Sequence, residues 1–269
     1  MHIVSPAPVT GAGHMRDGTP CQDRIVSDSG TVLGHSFTII GVADGAGSKS
    51  YSHYGAETVL KVAVQELSDL RSLSQLVKNI HLPRLFCKLF RIKTLEDMWP
   101  DFANRLLSQM QESLEQQAGI LGVHVDQLST TCILALVVDD LLFAMRVGDG
   151  ALAVRSKTGE ISSAFPQKLN SYINETSFVT TRNVAPEIFI KHNIDGLLMS
   201  TDGVEPFFLN QSNGAPRSEN VSAFLQVAKK SNGLEQISSW LNDPALKENT
   251  LDDLSLVIAV QESQNDQYL

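Results

Sequence analysis

The first half of the chain changes from a strand-like to a helical hydrophobic pattern. Residues 37–42 form a short apolar run rich in β-branched side chains, which predicts a strand. Apolar positions then recur at helical spacing over residues 55–70 and 102–119, which predicts two amphipathic helices. Residues 73–90 also have a helical pattern, but Pro83 interrupts it. A helical layer is therefore expected in the middle third of the chain.

Strand-like patterns return in the second half. Residues 129–138 form a long apolar run, and Asp139-Asp140 fits a tight hairpin turn into residues 141–147. Residues 151–155 follow after another short connection, so we expect an antiparallel meander of three strands and no βαβ unit. Residues 162–186 are polar and irregular, which predicts a loop over one sheet edge.

The end of the chain has a similar organisation. An apolar strand is expected before the Asp-Gly pair at 202–203, two weak helices within 219–241, and a final strand over 254–260. Strands at both ends and in the middle, with long helices between them, predict an α+β sandwich in which helices cover antiparallel sheets. No Pro/Gly/Ser-rich linker and no internal repeat interrupts the sequence. We therefore expect a single domain over residues 1–269.

Two glycine-rich segments are expected to be irregular. Residues 11–20 contain so many structure-breaking residues that a loop is predicted. In the turn after the first long strand, Gly45 and Gly47 are expected to permit positive φ and a close approach of a ligand. Asp44 begins this turn. Its carboxylate can bind a hard cation or simply cap the helix that begins near Ser52, and the turn alone does not distinguish the two.

Charge and cysteine content narrow the functional classes. A net charge of −9 argues against a nucleic-acid partner and against an anionic membrane surface. The three cysteines are widely spaced and show neither a disulfide framework nor a zinc motif. The sequence begins without a secretory leader pattern, and no apolar run reaches the roughly 18 residues that span a bilayer. We therefore expect a cytoplasmic protein that binds neither nucleic acid nor membrane.

Five acidic residues lie beside predicted strand ends, namely Asp23, Asp44, Asp149, Asp202 and Asp252. Carboxylates that are brought together raise each other's pKa and destabilise the fold. Hard divalent cations such as Mg²⁺ or Mn²⁺ relieve this repulsion because they prefer oxygen ligands. Two such ions roughly 3.5–4 Å apart can generate a bridging hydroxide and stabilise an in-line phosphoryl displacement. The acids therefore predict a metal-dependent phosphoryl-transfer site.

Six short motifs occur in a fixed order along nearly the whole chain. They are Gly-Thr-Pro-Cys-Gln-Asp, Val-Ala-Asp-Gly-Ala-Gly, Thr-Thr-Cys, Val-Gly-Asp-Gly, Ser-Thr-Asp-Gly and Asp-Asp-Leu-Ser. Each motif is weak alone, but the ordered set resembles the metal-dependent serine/threonine phosphatases of type 2C (the PPM family), particularly their compact bacterial branch. The resemblance implies a four-layer αββα sandwich, with two central antiparallel sheets flanked by helix pairs and metals in a cleft at one end.

The resemblance also implies a role for each acid toward two Mn²⁺ or Mg²⁺ ions. Asp44 would bridge both ions, and the Gly45 carbonyl would complete one coordination sphere. Asp202 and Asp252 would ligate the other ion, and Asp23 would hold a metal-bound water. A hydroxide between the ions would then attack the phosphorus of phosphoserine or phosphothreonine in line, without a phosphoenzyme.

Several positions depart from the family pattern. Asp149 matches an acid of a third, weaker metal site, but Pro206 replaces a frequent acid near that site. Gln22 replaces the usual glutamate beside the first acid, and Gly18 stands where many members have the arginine that clamps the substrate phosphate. Ala46 occupies the place of a histidine proposed as general acid in animal members.

The missing arginine leaves the phosphate-binding residue open. His14 and Arg16 in the preceding loop, and Lys49 after the Asp44 turn, are the candidates, although each can equally be a solvated loop residue. Asp253 stands where the family often has asparagine, and we assign it only a supporting role.

Two functional hypotheses follow from these observations. The first is a cytoplasmic Mn²⁺/Mg²⁺-dependent phosphatase that acts on proteins phosphorylated by a serine/threonine kinase. The second is a phosphatase-like regulatory or scaffold module that binds metal or a phosphoprotein but turns over poorly.

Overall fold

The computed structural model describes residues 1–78, 93–165, 176–248 and 250–261. The strands in these residues are β1 (His2–Val4), β2 (Arg24–Val32), β3 (His35–Ala43), β4 (Cys132–Val138), β5 (Leu141–Val147), β6 (Ala151–Ser156), β7 (Ile161–Ser163), β8 (Glu187–Lys191), β9 (Ile194–Ser200) and β10 (Leu256–Val260). The α-helices are α1 (Ala12–Asp17), α2 (Ser52–Ser68), α3 (Leu70–Val77), α4 (Leu95–Leu121), α5 (Glu205–Phe208), α6 (Ser218–Ala228), α7 (Gly233–Leu241) and α8 (Pro244–Glu248).

The strands form two antiparallel sheets of five strands each. Sheet I has the order β1-β10-β9-β6-β7, and sheet II has the order β2-β3-β4-β5-β8. Within sheet II, β3 and β4 are in register so that Ile40 lies opposite Ala135. Within sheet I, β10 and β9 are in register so that Ile258 lies opposite Leu198.

The strands are apolar on both faces because both faces are covered. In β4, Leu134 and Leu136 pack toward the helices, whereas Ile133, Ala135 and Val137 pack between the two sheets. Successive side chains of a strand point to opposite faces, so a strand that is buried on both faces has a continuous apolar sequence. This explains why residues 129–138 contain an apolar run without alternation.

Helices cover the outer face of each sheet. Apolar residues of α2 and α4, such as Leu60 and Met110, pack on sheet II. Residues of α6 and α7, such as Leu225 and Ile237, pack on sheet I. The predicted four-layer αββα sandwich is confirmed. Among the residues that the structure describes, no helix is both long and apolar enough to cross a membrane.

Two local predictions were wrong, and a third is confirmed in part. Residues 12–17 of the predicted loop form the short helix α1, which ends because Gly18 adopts a left-handed conformation with φ of 70°. Gly45 and Gly47 do not have positive φ. The predicted helical segment over 73–90 begins earlier, in α3, and the part that contains Pro83 lies outside the described residues.

The predicted three-stranded meander is only partly correct. Strands β4 and β5 pair as expected, but β6 pairs with β7 and β9 in sheet I. The chain therefore crosses between the sheets at residues 148–150. Gly148 and Gly150 have φ of 97° and 93°, a conformation that glycine adopts without strain. The crossing places Asp149 at the boundary between the two sheets.

Candidate active site

The position of Asp44 is fixed by two threonines at the start of β4. The backbone amide of Thr131 and the hydroxyl of Thr130 both donate to the Asp44 carbonyl, at 2.8 Å each. The Asp44 amide in turn donates to Thr131 Oγ1 at 3.1 Å. Both backbone groups of Asp44 are therefore paired, and its carboxylate extends from a rigid support.

The alternative role of Asp44 as a helix cap is wrong. Helix α2 has Tyr51 at its N-cap position and receives no side-chain cap hydrogen bond. Gly45 instead packs against the start of this helix, since a Cβ there would lie 2.8 Å from Ser52 Cβ and Oγ. The close approach that requires glycine in this turn is therefore made by the protein itself.

Three of the predicted acids meet at one end of the sandwich. One carboxylate oxygen from each of Asp44, Asp149 and Asp202 lies within 4.8 Å of the others. Asp44 follows β3 of sheet II, Asp202 lies just beyond β9 of sheet I, and Asp149 lies on the crossing between the sheets. The two sheets thus jointly position the cluster.

Asp23 lies beside this cluster and is buried. Its side chain accepts a hydrogen bond from Thr201 Oγ1 at 2.7 Å, and that hydroxyl also lies 3.0 Å from Ser255 Oγ. Burial raises the pKa of Asp23 to about 7, although the bond from Thr201 acts in the opposite direction. Thr201 and Ser255 belong to the motifs identified in the sequence, but their role in holding Asp23 was not predicted.

Burial and mutual repulsion raise the pKa of the other acids as well. The pKa of Asp202 is raised to about 8, mainly by burial and then by the charges of Asp252 and Asp149. The pKa of Asp44 is raised well above its ordinary value, by burial and then by Asp23 and Asp202. The pKa of Asp252 is also raised, mainly by burial. The site therefore holds a concentration of negative charge that is poorly solvated.

The donor atoms of the site fit a hard divalent cation. The cluster offers only carboxylate oxygens, which Mg²⁺ and Mn²⁺ prefer. Asp202 Oδ1 is buried and has no hydrogen-bond partner. Among the described residues, none of the five predicted acids forms an ion pair with a lysine or arginine. A bound cation would satisfy both the unpaired oxygen and the uncompensated charge.

Asp253 has a larger structural role than the sequence indicated. It is buried and accepts hydrogen bonds from the backbone amides of Gly11 at 2.7 Å and Gln22 at 2.6 Å. The Nδ1 atom of His14 lies 2.9 Å from the same carboxylate. Asp253 thus connects α1 and the segment before Asp23 to the site.

Gln22 supports the Asp44 turn. Its buried side-chain amide donates to the Lys49 carbonyl at 3.2 Å, and the backbone carbonyl of Gln22 accepts from the Gly45 amide at 3.2 Å. A glutamate at position 22 would direct a carboxylate oxygen at the Lys49 carbonyl, which is unfavourable. The departure from the family pattern at this position therefore has a local structural reason.

The three candidates for binding phosphate occupy different surroundings. His14 lies next to the acids. Its charge is one of the influences that lower the pKa of Asp252, and a Cβ added to Gly47 would lie 3.8 Å from its Nε2. Arg16 is largely exposed, and its Nε lies 3.7 Å from Asp17. Within the described residues, neither Arg16 nor Lys49 makes an ion pair with the acidic cluster.

Two polar neighbours of the site were not predicted. Thr176 donates a hydrogen bond of 2.8 Å to Asp149 Oδ2. The charge of Glu205 contributes to the raised pKa of Asp202, so an acid does lie near the expected third metal site, one residue before Pro206. The sequence signal for Glu205 was its position three residues after Asp202, and it is the first residue of α5.

Solved structures share this fold at low sequence identity. A bacterial serine phosphatase is 16% identical with a TM-score of 0.61, and the alignment covers 98% of this chain and 99% of that chain. The serine/threonine phosphatase Stp1 from Staphylococcus aureus is 15% identical with a TM-score of 0.59, covering 98% and 96%. The catalytic domain of the serine/threonine protein phosphatase PstP, solved with two manganese ions, is 13% identical with a TM-score of 0.55, covering 90% and 98%.

The sequence comparisons identify the family. No sequence among the curated proteins matches this chain. Residues 10–242, however, match the family described as protein phosphatase 2C. This match covers most of the chain, which therefore belongs to the protein phosphatase 2C family of phosphoprotein phosphatases.

Proposed function

We propose that this chain is a Mn²⁺- or Mg²⁺-dependent protein phosphatase that hydrolyses phosphoserine and phosphothreonine. The observation that carries the proposal is the meeting of Asp44, Asp149 and Asp202 within 4.8 Å, with one buried oxygen of Asp202 unpaired. Family membership supports the reaction class, and the manganese ions in PstP support the choice of cation.

We assign the acids the ligand roles that the family resemblance implies, and their electrostatic influence on one another supports this assignment. Asp44 is central, because the charges of Asp23, Asp202 and Asp252 all act on it, and we assign it to both of two ions. The Gly45 carbonyl would complete one coordination sphere. Asp202 and Asp252 would ligate the second ion, since the charge of Asp252 is the largest electrostatic influence on Asp202.

Two further acids have supporting roles in this proposal. Asp23, which is hydrogen-bonded to Thr201, would orient water at the metal site. Asp149 would contribute to a weaker third site. Its second oxygen accepts a hydrogen bond from Thr176, which leaves it fewer lone pairs for a cation.

The reaction does not require a nucleophilic side chain. Asp44, Asp202 and Asp252 would hold two divalent cations, which would activate a water for direct, in-line attack on phosphorus, with no phosphoenzyme. Burial raises the pKa of the Cys21 and Cys132 thiols to about 12, so neither is a thiolate at neutral pH. Thr130 and Thr131 keep Asp44 rigid, so that little reorganisation is needed during the reaction.

We assign the substrate phosphate to His14 in preference to Arg16 and Lys49. His14 is only 15% exposed. Its Nδ1 lies 2.9 Å from the Asp253 carboxylate, and its Nε2 lies on the side of Gly47 and the Asp44 turn. The substrate would be a protein phosphorylated by a serine/threonine kinase. We further propose that residues 1–269 form one catalytic domain, and the cytoplasmic location stays a prediction.

Hydrolysis of phosphoserine and phosphothreonine peptides by the purified protein tests the proposal. We expect turnover with added Mn²⁺ or Mg²⁺ and none after chelation. Asp44→Ala and Asp202→Ala should each abolish turnover, whereas Asp101→Ala should not, because Asp101 is a 64% exposed residue on α4. Metal-dependent activity that survives in either site variant would contradict the proposal.

One observation favours a weakly active binding module as the second candidate. Gly18, which stands in place of the clamp arginine, has φ of 70°, a conformation that disfavours a side chain. The absence of the clamp is therefore part of the local fold. Calorimetric binding of Mn²⁺ together with no hydrolysis of any phosphopeptide would support this second function.

A further inference from the structure

A pocket of about 350 Å³ lies directly beside the acidic cluster. Asp202 and Asp252 form one side of it, and Pro206, Phe207 and Leu246 form an apolar side. The pocket is therefore continuous with the proposed catalytic site, but its apolar side contains no group that the reaction uses.

The apolar side is held by the surrounding helices. Phe207 on α5 packs edge-to-face on Trp240 of α7 with 5.3 Å between ring centroids, and it is still 36% exposed. Leu246 on α8 is 6% exposed and packs in the core under sheet I. An exposed aromatic ring that is fixed by its neighbours is suited to contact with a binding partner.

We propose that this pocket receives a large apolar side chain of the phosphoprotein substrate, next to the phosphorylated residue. The inference rests on the proposed function, which places the phosphoryl group at Asp44 and Asp202. An extended chain advances about 3.3–3.6 Å per residue, so the side chains one or two positions away reach a pocket that shares these acids. The volume of about 350 Å³ accommodates a leucine, methionine or phenylalanine side chain.

The charges around the pocket determine which side chains it excludes. Glu205, whose charge acts on Asp202 and which is not a proposed cation ligand, would repel an acidic side chain. A basic side chain would be attracted to Asp202 and Asp252, but these are the proposed cation ligands, so their charge is neutralised when the metals are bound. The remaining surface is hydrocarbon and favours an apolar group.

Phosphopeptides that differ at one flanking position test this inference. Peptides with leucine, phenylalanine, alanine, lysine or glutamate at each of the two positions on either side of phosphoserine are compared by kcat/KM with Mn²⁺. We expect leucine or phenylalanine to exceed alanine by about tenfold at one of these positions. Equal rates for all side chains, or a preference for lysine, would overturn the inference while leaving the proposed function intact.

Two variants connect the preference to the pocket. Phe207→Ala should reduce the ratio of kcat/KM for the leucine peptide to kcat/KM for the alanine peptide to about one. A general loss of activity lowers both values equally and does not change this ratio. Leu234→Ala is the matched control, because Leu234 is a 49% exposed apolar residue on α7 that does not line the pocket, and its ratio should stay unchanged. An unchanged ratio in Phe207→Ala would refute the assignment. So would the finding that the wild type is a dimer and this variant a monomer, because a second copy of the chain would then occupy the pocket. Failure to hydrolyse any phosphopeptide would refute the proposed function as well.

Discussion

Replacement of Asp202 by asparagine should stabilise the metal-free protein although it destroys the site. Burial and neighbouring charges raise the pKa of Asp202 to about 8 from an ordinary value of 3.8. Between these two values the folded state holds a proton that the unfolded state has released, so stability falls as the pH rises. At pH 7 the raised pKa of Asp202 lowers the unfolding free energy by about 4 kcal/mol, at about 1.4 kcal/mol for each pKa unit.

Asparagine removes this penalty but has a penalty of its own. Because Asp202 Oδ1 is buried without a hydrogen-bond partner, the amide would have one polar atom unpaired, which costs about 1–3 kcal/mol. The expected net gain for the metal-free variant at pH 7 is therefore about 1–3 kcal/mol. The gain should shrink as the pH falls toward 3.8, below which Asp202 is mostly protonated in both states.

Urea unfolding of wild type and Asp202→Asn in EDTA, at several pH values between 4.5 and 7.5, measures this difference. Addition of Mn²⁺ at a hundred times its Kd should stabilise the wild type by about 2.7 kcal/mol and the variant by less. Asp101→Asn is the control, since Asp101 is exposed and its 3.5 Å pair with Lys93 contributes little. The reasoning is refuted if Asp202→Asn is less stable than wild type at pH 7.5 without metal, or if Mn²⁺ stabilises both equally.

Three further substitutions test the support of the site. Gly45→Ala should destabilise the fold by about 1–3 kcal/mol because its Cβ would overlap Ser52, whereas Gly47→Ala, with no atom closer than 3.8 Å, should change the urea midpoint very little. Asp253→Ala should cost about 2–4 kcal/mol in unfolding free energy, since two backbone amides lose their acceptor, and a cost below 1 kcal/mol would contradict this role. Thr131→Val should cost about 1–3 kcal/mol because the Asp44 amide loses its partner, and wild-type kcat in this variant would show that the bond does not position Asp44.

The architecture could be predicted where hydrophobic period and length agree. The apolar runs that became β3, β4, β5 and β9 and the helical periods that became α2 and α4 were recognisable because each element buries a large surface. The sheet to which β6 belongs was not predictable, because a short connection is compatible both with a hairpin and with a crossing. The two are distinguished by the strand pairing, because β6 pairs with β7 and β9.

The acidic residues of the site could be predicted from the sequence, but the hydrogen bonds that hold them in place could not. A strand that ends in Asp-Gly is visible in the sequence, and Asp44, Asp149 and Asp202 indeed meet. The hydrogen bonds of Thr201 to Asp23 and of Asp253 to Gln22 connect residues that are far apart in the chain. Such pairs depend on the docking of the two sheets, which no local pattern specifies.

The division of the acids between the two sheets has a consequence for the folding of the chain. Asp44 extends from sheet II, Asp202 from sheet I and Asp149 from the crossing between them, so each sheet alone carries only part of the cluster. In a compact intermediate whose sheets have docked with a shifted register, the carboxylates of Asp44 and Asp202 would not meet. Cation binding at the proposed site would therefore discriminate the correctly assembled sandwich from misfolded states with the same secondary structure. The bound cation would act as a reversible cross-link across the sheet interface.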